Sequence, residues 1–104
     1  MKSYSPRHKF RAIPSVSDGI KFSSKKEMQY YQQLKHSEQS GELIFFLRQV
    51  PFHLPGNIKY ICDFMNFWKD GSVTIEDVKG FKTPMYTTKK KMVEAIYPIE
   101  IKEV

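Results

Sequence analysis

Two aspartates and a lysine lie in two neighbouring segments rich in aromatic and β-branched residues, and these residue types could do phosphate chemistry. Asp63 lies in the first segment, and Asp77 and Lys79 stand one residue apart in the second. Two carboxylates directly opposite each other in a sheet lie about 5 Å apart at Cβ and repel, so they need a cation or a shared proton. Mg²⁺ accepts such ligands and phosphate oxygens, and a nearby amine can orient water or stabilise a pentacovalent phosphate. The pattern is typical of metal-dependent phosphodiester hydrolysis.

The turn between the two segments decides whether the carboxylates meet. A three-residue loop over residues 69–71, with Gly71 in the left-handed conformation, places Asp63 opposite Asp77. A two- or four-residue turn would place Asp63 opposite Val78 and the two aspartates on opposite faces. We expect the three-residue loop, because it pairs apolar with apolar residues and acid with acid. We also expect the face that carries both aspartates to look into the core, because apolar side chains precede them on it.

Other residues compete with this interpretation or extend it. Glu76 is the rival acid on the other strand face, ranked below Asp77 because no lysine follows it at the same spacing. Gln49, near the end of the preceding strand, either approaches the same site or is solvated. The structural alternative to a metal site is a surface salt bridge among the two aspartates and the lysine. Cys62 has no neighbouring histidine and is interpreted as a packed thiol. Three histidines lack ligand spacing and are interpreted as surface residues: His8, His36 and His53.

The elements that must position these residues have the order α-β-β-β-α-β. Residues 24–27 have the spacing of a capping box and predict a helix to near Gln39, with Glu27, Tyr31 and Leu34 on its inner face. Residues 1–18 are expected to be irregular. Short apolar or aromatic segments predict strands over residues 43–50, 58–68, 73–79 and 99–104.

A second helix completes the predicted fold. Thr83 and Pro84 are typical of a helix start, and Pro98 follows its predicted end near Tyr97. Four apolar residues are expected to face inward from this helix: Met85, Met92, Val93 and Ile96. The element order indicates an α/β fold in which two helices flank a mixed sheet.

Length and composition exclude several classes of protein. The chain has 104 residues and 40% hydrophobic residues, which is ordinary for one globular domain and argues against a disordered chain. No apolar run approaches the roughly 18 residues of a membrane span, and no secretory signal is visible. A single cysteine allows no intrachain disulfide and no multi-cysteine zinc site, so a cytoplasmic protein is expected.

The net charge of +6 is concentrated at the start of the chain. Residues 1–26 carry seven Lys or Arg and one acid, whereas residues 27–104 carry ten of each sign. A basic arm over residues 1–17 on a neutral domain over residues 18–104 favours a polyanionic partner, nucleic acid first, with a solvated tail as the alternative. The candidate phosphate contacts are Arg7, Lys9, Arg11, Lys25, Lys26, Lys82, Lys89, Lys90 and Lys91.

Together these motifs resemble the PD-(D/E)XK nuclease superfamily, with its αβββαβ restriction-endonuclease-like core. Residues 62–64 stand where that superfamily has Pro-Asp-Phe, and residues 77–80 match its acid-x-Lys motif with a following glycine. Glu27 matches an acid found on the first helix of many members. The chain is most similar to the phage endonuclease I-like Holliday-junction resolvases. It also resembles a small phage-encoded family of unknown function in residues 18–22, 24–27 and 41–44.

The resemblance implies a Mg²⁺-dependent endodeoxyribonuclease, with Mn²⁺ able to substitute, that acts on branched DNA as a homodimer. Asp63, Asp77 and the Val78 carbonyl would be metal ligands, Lys79 would activate water or stabilise charge, and Glu27 would hold a second metal or its water. Phe46, Phe64 or Trp68, or the N-terminal arm, would supply the dimer interface. The chain departs from the superfamily in having Cys62 for proline and Asp77 for the commoner glutamate.

Two further hypotheses remain open from the sequence. The first is a non-catalytic DNA-binding module that retains the nuclease fold, in which the acids are structural. The second is a protein-interaction subunit of a phage assembly, in which the basic arm binds an acidic partner.

Overall fold

The computed structural model describes residues 15–104, so Arg7, Lys9 and Arg11 of the predicted basic arm lie outside the described residues. The chain divides into two units, Met1–His36 and Ser37–Val104, and the boundary falls inside the first helix, α1 (Lys25–Ser40). Within residues 15–104, neither helix is long and apolar enough to cross a membrane.

The described part of the first unit is a hairpin followed by the start of α1. Strands β1 (Ser15–Ser17) and β2 (Ile20–Phe22) pair antiparallel around Asp18 and Gly19, which have φ angles of 52° and 74°. Two positive φ angles at Asp-Gly are typical of the hairpin turns that match strand twist. The prediction of irregular chain through residue 18 is therefore wrong for β1, whose serines carry no apolar pattern that would indicate a strand.

Helix α1 begins and ends with the groups that its sequence predicts. The Ser24 hydroxyl accepts a hydrogen bond of 3.0 Å from the Glu27 N–H, as in the first half of a capping box. The predicted inner residues of the helix, Glu27, Tyr31 and Leu34, are all buried. At the other end Gly41 has a φ of 85°, and the N–H groups of Gly41 and Glu42 bond the carbonyls of Glu38 and Ser37. These two bonds form a Schellman motif, which satisfies the last helical carbonyls.

The second unit is a four-stranded mixed sheet with one helix. Strands β3 (Leu43–Leu54), β4 (Ile58–Trp68) and β5 (Val73–Asp77) are antiparallel neighbours, and β6 (Ile101–Glu103) pairs parallel to β5. Helix α2 (Pro84–Ile96) makes the crossover between the two parallel strands. The prediction of an α/β fold with a mixed sheet and two helices is confirmed.

Two strand boundaries differ from the sequence prediction. Strand β3 continues through Pro51 to Leu54, because it is the edge strand of the sheet and an edge strand tolerates a proline. Strand β5 ends at Asp77, although the Val104 N–H still bonds the Asp77 carbonyl at 2.8 Å. The Lys79 N–H donates to the Val104 carbonyl at 3.4 Å, so the contact between the two chain segments continues past the strand.

The predicted register of the β4–β5 hairpin is confirmed. Phe67 lies opposite Val73, and Met65 lies opposite Ile75. The predicted orientation of this face is wrong for β4, because Ile61 is 50% exposed whereas its neighbour Cys62 is fully buried. The buried face of β4 is therefore the opposite face, whose first buried side chains are an aromatic ring and a thiol. The core cluster contains Leu54, Tyr60, Cys62, Ile75, Tyr86, Val93 and Ile101.

Several large apolar side chains of the second unit are exposed. Phe45, Leu47, Ile61 and Val73 lie on the face that carries Asp63, since paired residues share a face and side chains alternate along each strand. The expectation that Phe64 contributes to a dimer surface is wrong, because its side chain is fully buried.

Helix α2 differs from prediction in which residues it buries. Met85 and Ile96 are exposed, so their predicted inward positions are wrong. Val93 is buried as predicted, and Tyr86 is buried although it was not predicted. The two buried residues are one heptad apart, so a narrow stripe of the helix packs against the core.

We predict that Gly71→Ala lowers the free energy of unfolding by about 1–2 kcal/mol, because Gly71 has a φ of 92° that L-residues avoid. Gly80→Ala is the matched control, since an added Cβ meets nothing within 4 Å at either glycine and Gly80 has no positive φ. Urea unfolding of both variants measures the difference, and equal effects would contradict the observed hairpin geometry.

Candidate metal centre

The two aspartates exchange hydrogen bonds with each other's strands where the β4–β5 pairing ends. The Asp63 N–H donates to Asp77 Oδ1 at 2.9 Å, and the Val78 N–H donates to Asp63 Oδ2 at 2.9 Å. Each aspartate lies two residues beyond the Met65–Ile75 pair, so their side chains emerge on one face. Side-chain hydrogen bonds thus take the place of the next backbone hydrogen bonds between the two strands. These bonds hold the two carboxylates side by side.

Burial distinguishes the two carboxylates. Asp77 is 0% exposed, whereas Asp63 is half-buried. A buried carboxylate is costly unless hydrogen bonds or a cation compensate its lost hydration. Asp77 is therefore the inner member of the pair, and Asp63 is the member that solvent and a ligand can reach.

Gln49 approaches the same pair from strand β3. Its Nε2 donates to Asp63 Oδ1 at 3.5 Å, and its backbone has a φ of 53° in the middle of the strand. A left-handed non-glycine residue costs about 1–2 kcal/mol and persists only where its surroundings hold it, often at functional sites. Of the two alternatives for Gln49, the structure supports the approach to the aspartates.

Lys79 lies two residues after Asp77, in the segment whose backbone hydrogen-bonds with Val104. Its Nζ lies 4.4 Å from the centre of the Tyr86 ring, within the range of a cation–π contact. Sequence reasoning missed Tyr86, and only its position one heptad before Val93 could have indicated a buried face.

Glu76, the rival acid, belongs to the other face of the sheet. It is buried and accepts a 2.9 Å hydrogen bond from Asn66 Nδ2. It also lines a cavity of about 570 Å³ together with Trp68, Thr74 and Lys102. Because neighbouring residues of a strand point to opposite faces, Glu76 does not join the two aspartates.

The donor set of the aspartate pair fits a hard divalent cation. Mg²⁺ typically binds one or two carboxylates and completes its shell with water and phosphate oxygens. Asp63 and Asp77 would hold it, with the Val78 carbonyl as the predicted further ligand. Among residues 15–104, no three or more His, Cys, Asp or Glu side chains are grouped to hold a metal. Glu27 lies in the first unit, where Ser23 Oγ donates to its Oε1 at 2.8 Å, and its role as a ligand stays a prediction.

The lysines of α2 and its approach make contacts within the second unit. Lys82 and Lys90 lie 2.7 and 3.6 Å from the Glu103 carboxylate, and Lys89 Nζ donates to the Lys59 carbonyl at 3.1 Å. Lys91 is exposed, as are Lys25 and Lys26 in the first unit. The binding of DNA by these six lysines stays a prediction.

The interpretation of Cys62 as a packed thiol agrees with the structure. Its side chain is 0% exposed, and burial raises the pKa of the thiol to about 11. A thiol with such a pKa is a poor nucleophile at neutral pH.

The pKa of Glu103 is lowered to about 2, first by its hydrogen bond with Lys82 and then by that with Tyr86. Because the pKa is lower in the folded state, this contact stabilises the fold above the ordinary value of 4.5 and is lost as the pH falls through about 2. We predict a ¹³C-NMR titration midpoint near 2 for the Glu103 carboxyl, and Lys82→Met should raise it. An unchanged midpoint in the variant would contradict the observed ion pair.

Comparison with known proteins identifies one family. The chain matches the family model described as "Protein of unknown function (DUF1064)" over residues 7–103. None of the curated proteins and none of the solved structures gives a significant match.

Proposed function

We propose that this chain, which belongs to the DUF1064 family of proteins of unknown function, is a Mg²⁺-dependent endodeoxyribonuclease that acts on branched DNA. The observation that carries the proposal is the pair Asp63–Asp77, two carboxylates held on one face by each other's strands, with Lys79 two residues further on. The order of elements in the second unit and α1 supports a restriction-endonuclease-like core. We further propose that the enzyme is phage-encoded and acts in the cytoplasm of the host cell.

In this proposal the residues of the chain hold and orient the reacting groups. When bound, Mg²⁺ supplies positive charge to the phosphate oxygens and activates water. Asp77, fixed by the Asp63 N–H, and Asp63, fixed by the Val78 N–H, would hold the ion. The water oxygen attacks phosphorus and gives up a proton to solvent, the bond from phosphorus to the 3′ oxygen breaks, and that oxygen takes a proton from solvent. The products are a 5′-phosphate and a 3′-hydroxyl. The Lys79 ammonium stabilises the extra negative charge on the pentacovalent phosphate.

Lysines outside the aspartate pair would bind the DNA backbone. Contacts to phosphates carry no sequence information, and their strength falls steeply with salt. This agrees with a substrate recognised by its branched shape. Resolution of a junction needs two cuts, so we propose a homodimer. The exposed apolar side chains of the second unit, Phe45, Leu47, Ile61 and Val73, offer it an interface.

One observation favours a second candidate, a non-catalytic DNA-binding module. Both carboxylates accept backbone hydrogen bonds from the segment opposite, so they could serve only to finish the β4–β5 pairing. The two candidates differ in whether DNA is cleaved when a divalent metal is present.

We predict that the protein cuts a labelled four-way junction in Mg²⁺ or Mn²⁺ and not in EDTA, and cuts a linear duplex of matched sequence far less. Asp77→Asn should reduce cleavage on the order of 10²–10³-fold, the range typical of losing one electrostatic group from an active site. Asp70→Asn is the matched control, because Asp70 lies in the hairpin turn and its carboxylate accepts hydrogen bonds from the N–H and the hydroxyl of Ser72.

The outcomes separate the proposals. Equal cutting of junction and duplex would keep the nuclease and overturn the preference for branched DNA. Tight DNA binding without cleavage in either metal would overturn the nuclease in favour of the binding module. Cleavage that Asp77→Asn leaves unchanged would show that another site does the chemistry.

A further inference from the structure

We infer that Tyr86 is a positioning residue, whose aromatic ring holds the Lys79 ammonium in place beside the Asp63–Asp77 pair. The catalytic consequence of this inference rests on the proposed nuclease function, whereas the contact itself does not. The Lys79 Nζ lies 4.4 Å from the ring centre. A lysine ammonium within about 6 Å of an aromatic ring centre is attracted by the negative charge of the ring face.

The Tyr86 ring is itself fixed at several points. The Tyr86 N–H donates to Thr83 Oγ1 at 3.1 Å in the first turn of α2, and the hydroxyl donates to Glu103 Oε2 at 2.8 Å. The ring also lies 6.2 Å from that of Tyr60 on β4. Burial, followed by the bond to Glu103, raises the pKa of Tyr86 above its ordinary range, so the hydroxyl stays a donor. The ring therefore offers a fixed face to the Lys79 ammonium.

Strand β5, which carries Asp77, connects the Tyr86 ring to the aspartate pair. Glu103 lies opposite Asp77 in the parallel pairing of β5 and β6, so the anchor of the tyrosine hydroxyl is a direct neighbour of the buried carboxylate. Lys82 and Lys90 form ion pairs with the same Glu103 carboxylate, Lys82 at Oε1 and Lys90 at Oε2. Residues of α2, β5 and β6 therefore contact one another next to Lys79.

A fixed ring face matters because the lysine ammonium is a compact charge at the end of a flexible side chain. Its four-carbon chain has many rotamers and its ammonium has no fixed geometry. A ring face restricts those rotamers without adding a carboxylate that would compete for the ammonium. The charge is then oriented before substrate arrives, which is the condition for efficient electrostatic stabilisation of a transition state.

Two substitutions separate the ring from the hydroxyl. Tyr86→Phe keeps the ring face and loses the bond to Glu103, whereas Tyr86→Leu keeps an apolar side chain and loses the ring. Tyr97→Leu is the matched control, because Tyr97 caps the same helix but packs against Phe52 and bonds the His53 carbonyl. A merely structural role for Tyr86 would make both leucine variants alike.

The first readout needs no DNA. In wild type, NMR of the lysine side chains should show the Lys79 methylene protons shifted upfield by the ring current of Tyr86. The shift should persist in Tyr86→Phe and Tyr97→Leu and vanish in Tyr86→Leu. Lys79 methylene protons at ordinary positions in wild type would overturn the inference without any variant, so it can be tested even if Tyr86→Leu fails to fold.

The second readout is cleavage of the junction in Mg²⁺. Tyr86→Leu should lower kcat roughly three- to thirtyfold with KM nearly unchanged, and Tyr86→Phe should restore most of kcat. In a Lys79→Ala background, Tyr86→Leu should have no further effect on kcat. A ring-current shift that behaves as expected with an unchanged kcat in Tyr86→Leu would overturn the positioning role. A wild-type protein that shows the shift but cleaves no DNA would overturn the proposed function and leave the ring–lysine contact established.

Discussion

The rest of the site depends on two hydrogen bonds, from the Asp63 N–H to the Asp77 carboxylate and from the Val78 N–H to the Asp63 carboxylate. Each carboxylate takes a backbone N–H of the opposite strand segment, so neither can turn away without breaking the end of the β4–β5 hairpin. The hairpin register sets this geometry, and the left-handed Gly71 sets the register. A buried carboxylate such as that of Asp77 is unfavourable, and hydrogen bonds and a bound cation are two ways to compensate that cost.

The C-terminal part of the chain completes the site. The parallel pairing of β6 with β5 brings Val104 against the backbone of Asp77 and Lys79, and it brings Glu103 beside the buried carboxylate. Helix α2 then supplies Tyr86, which bonds Glu103 and lies under the Lys79 ammonium. A crossover helix and a three-residue strand therefore do more than close the fold, because they also hold the Tyr86 ring against the Lys79 ammonium.

Local signals predicted much of this arrangement from the sequence. The capping residues of α1, the helix start at Thr83 and the meeting of Asp63 with Asp77 all follow from short-range rules of caps, turns and strand alternation. The continuation of β3 through Pro51 could not be predicted, because it depends on β3 being the edge strand. The buried face of β4 and the role of Tyr86 were also missed, since both depend on which elements pack together in three dimensions.

The central claim is that Asp63 and Asp77 bind a divalent metal, and the most direct measurement is anomalous diffraction from crystals grown with Mn²⁺. The account predicts one anomalous peak within coordination distance of both carboxylates, absent in Asp77→Asn crystals grown in the same way. A peak only in the cavity beside Glu76, or none at millimolar Mn²⁺, would contradict it and make the aspartate pair a structural end to the hairpin.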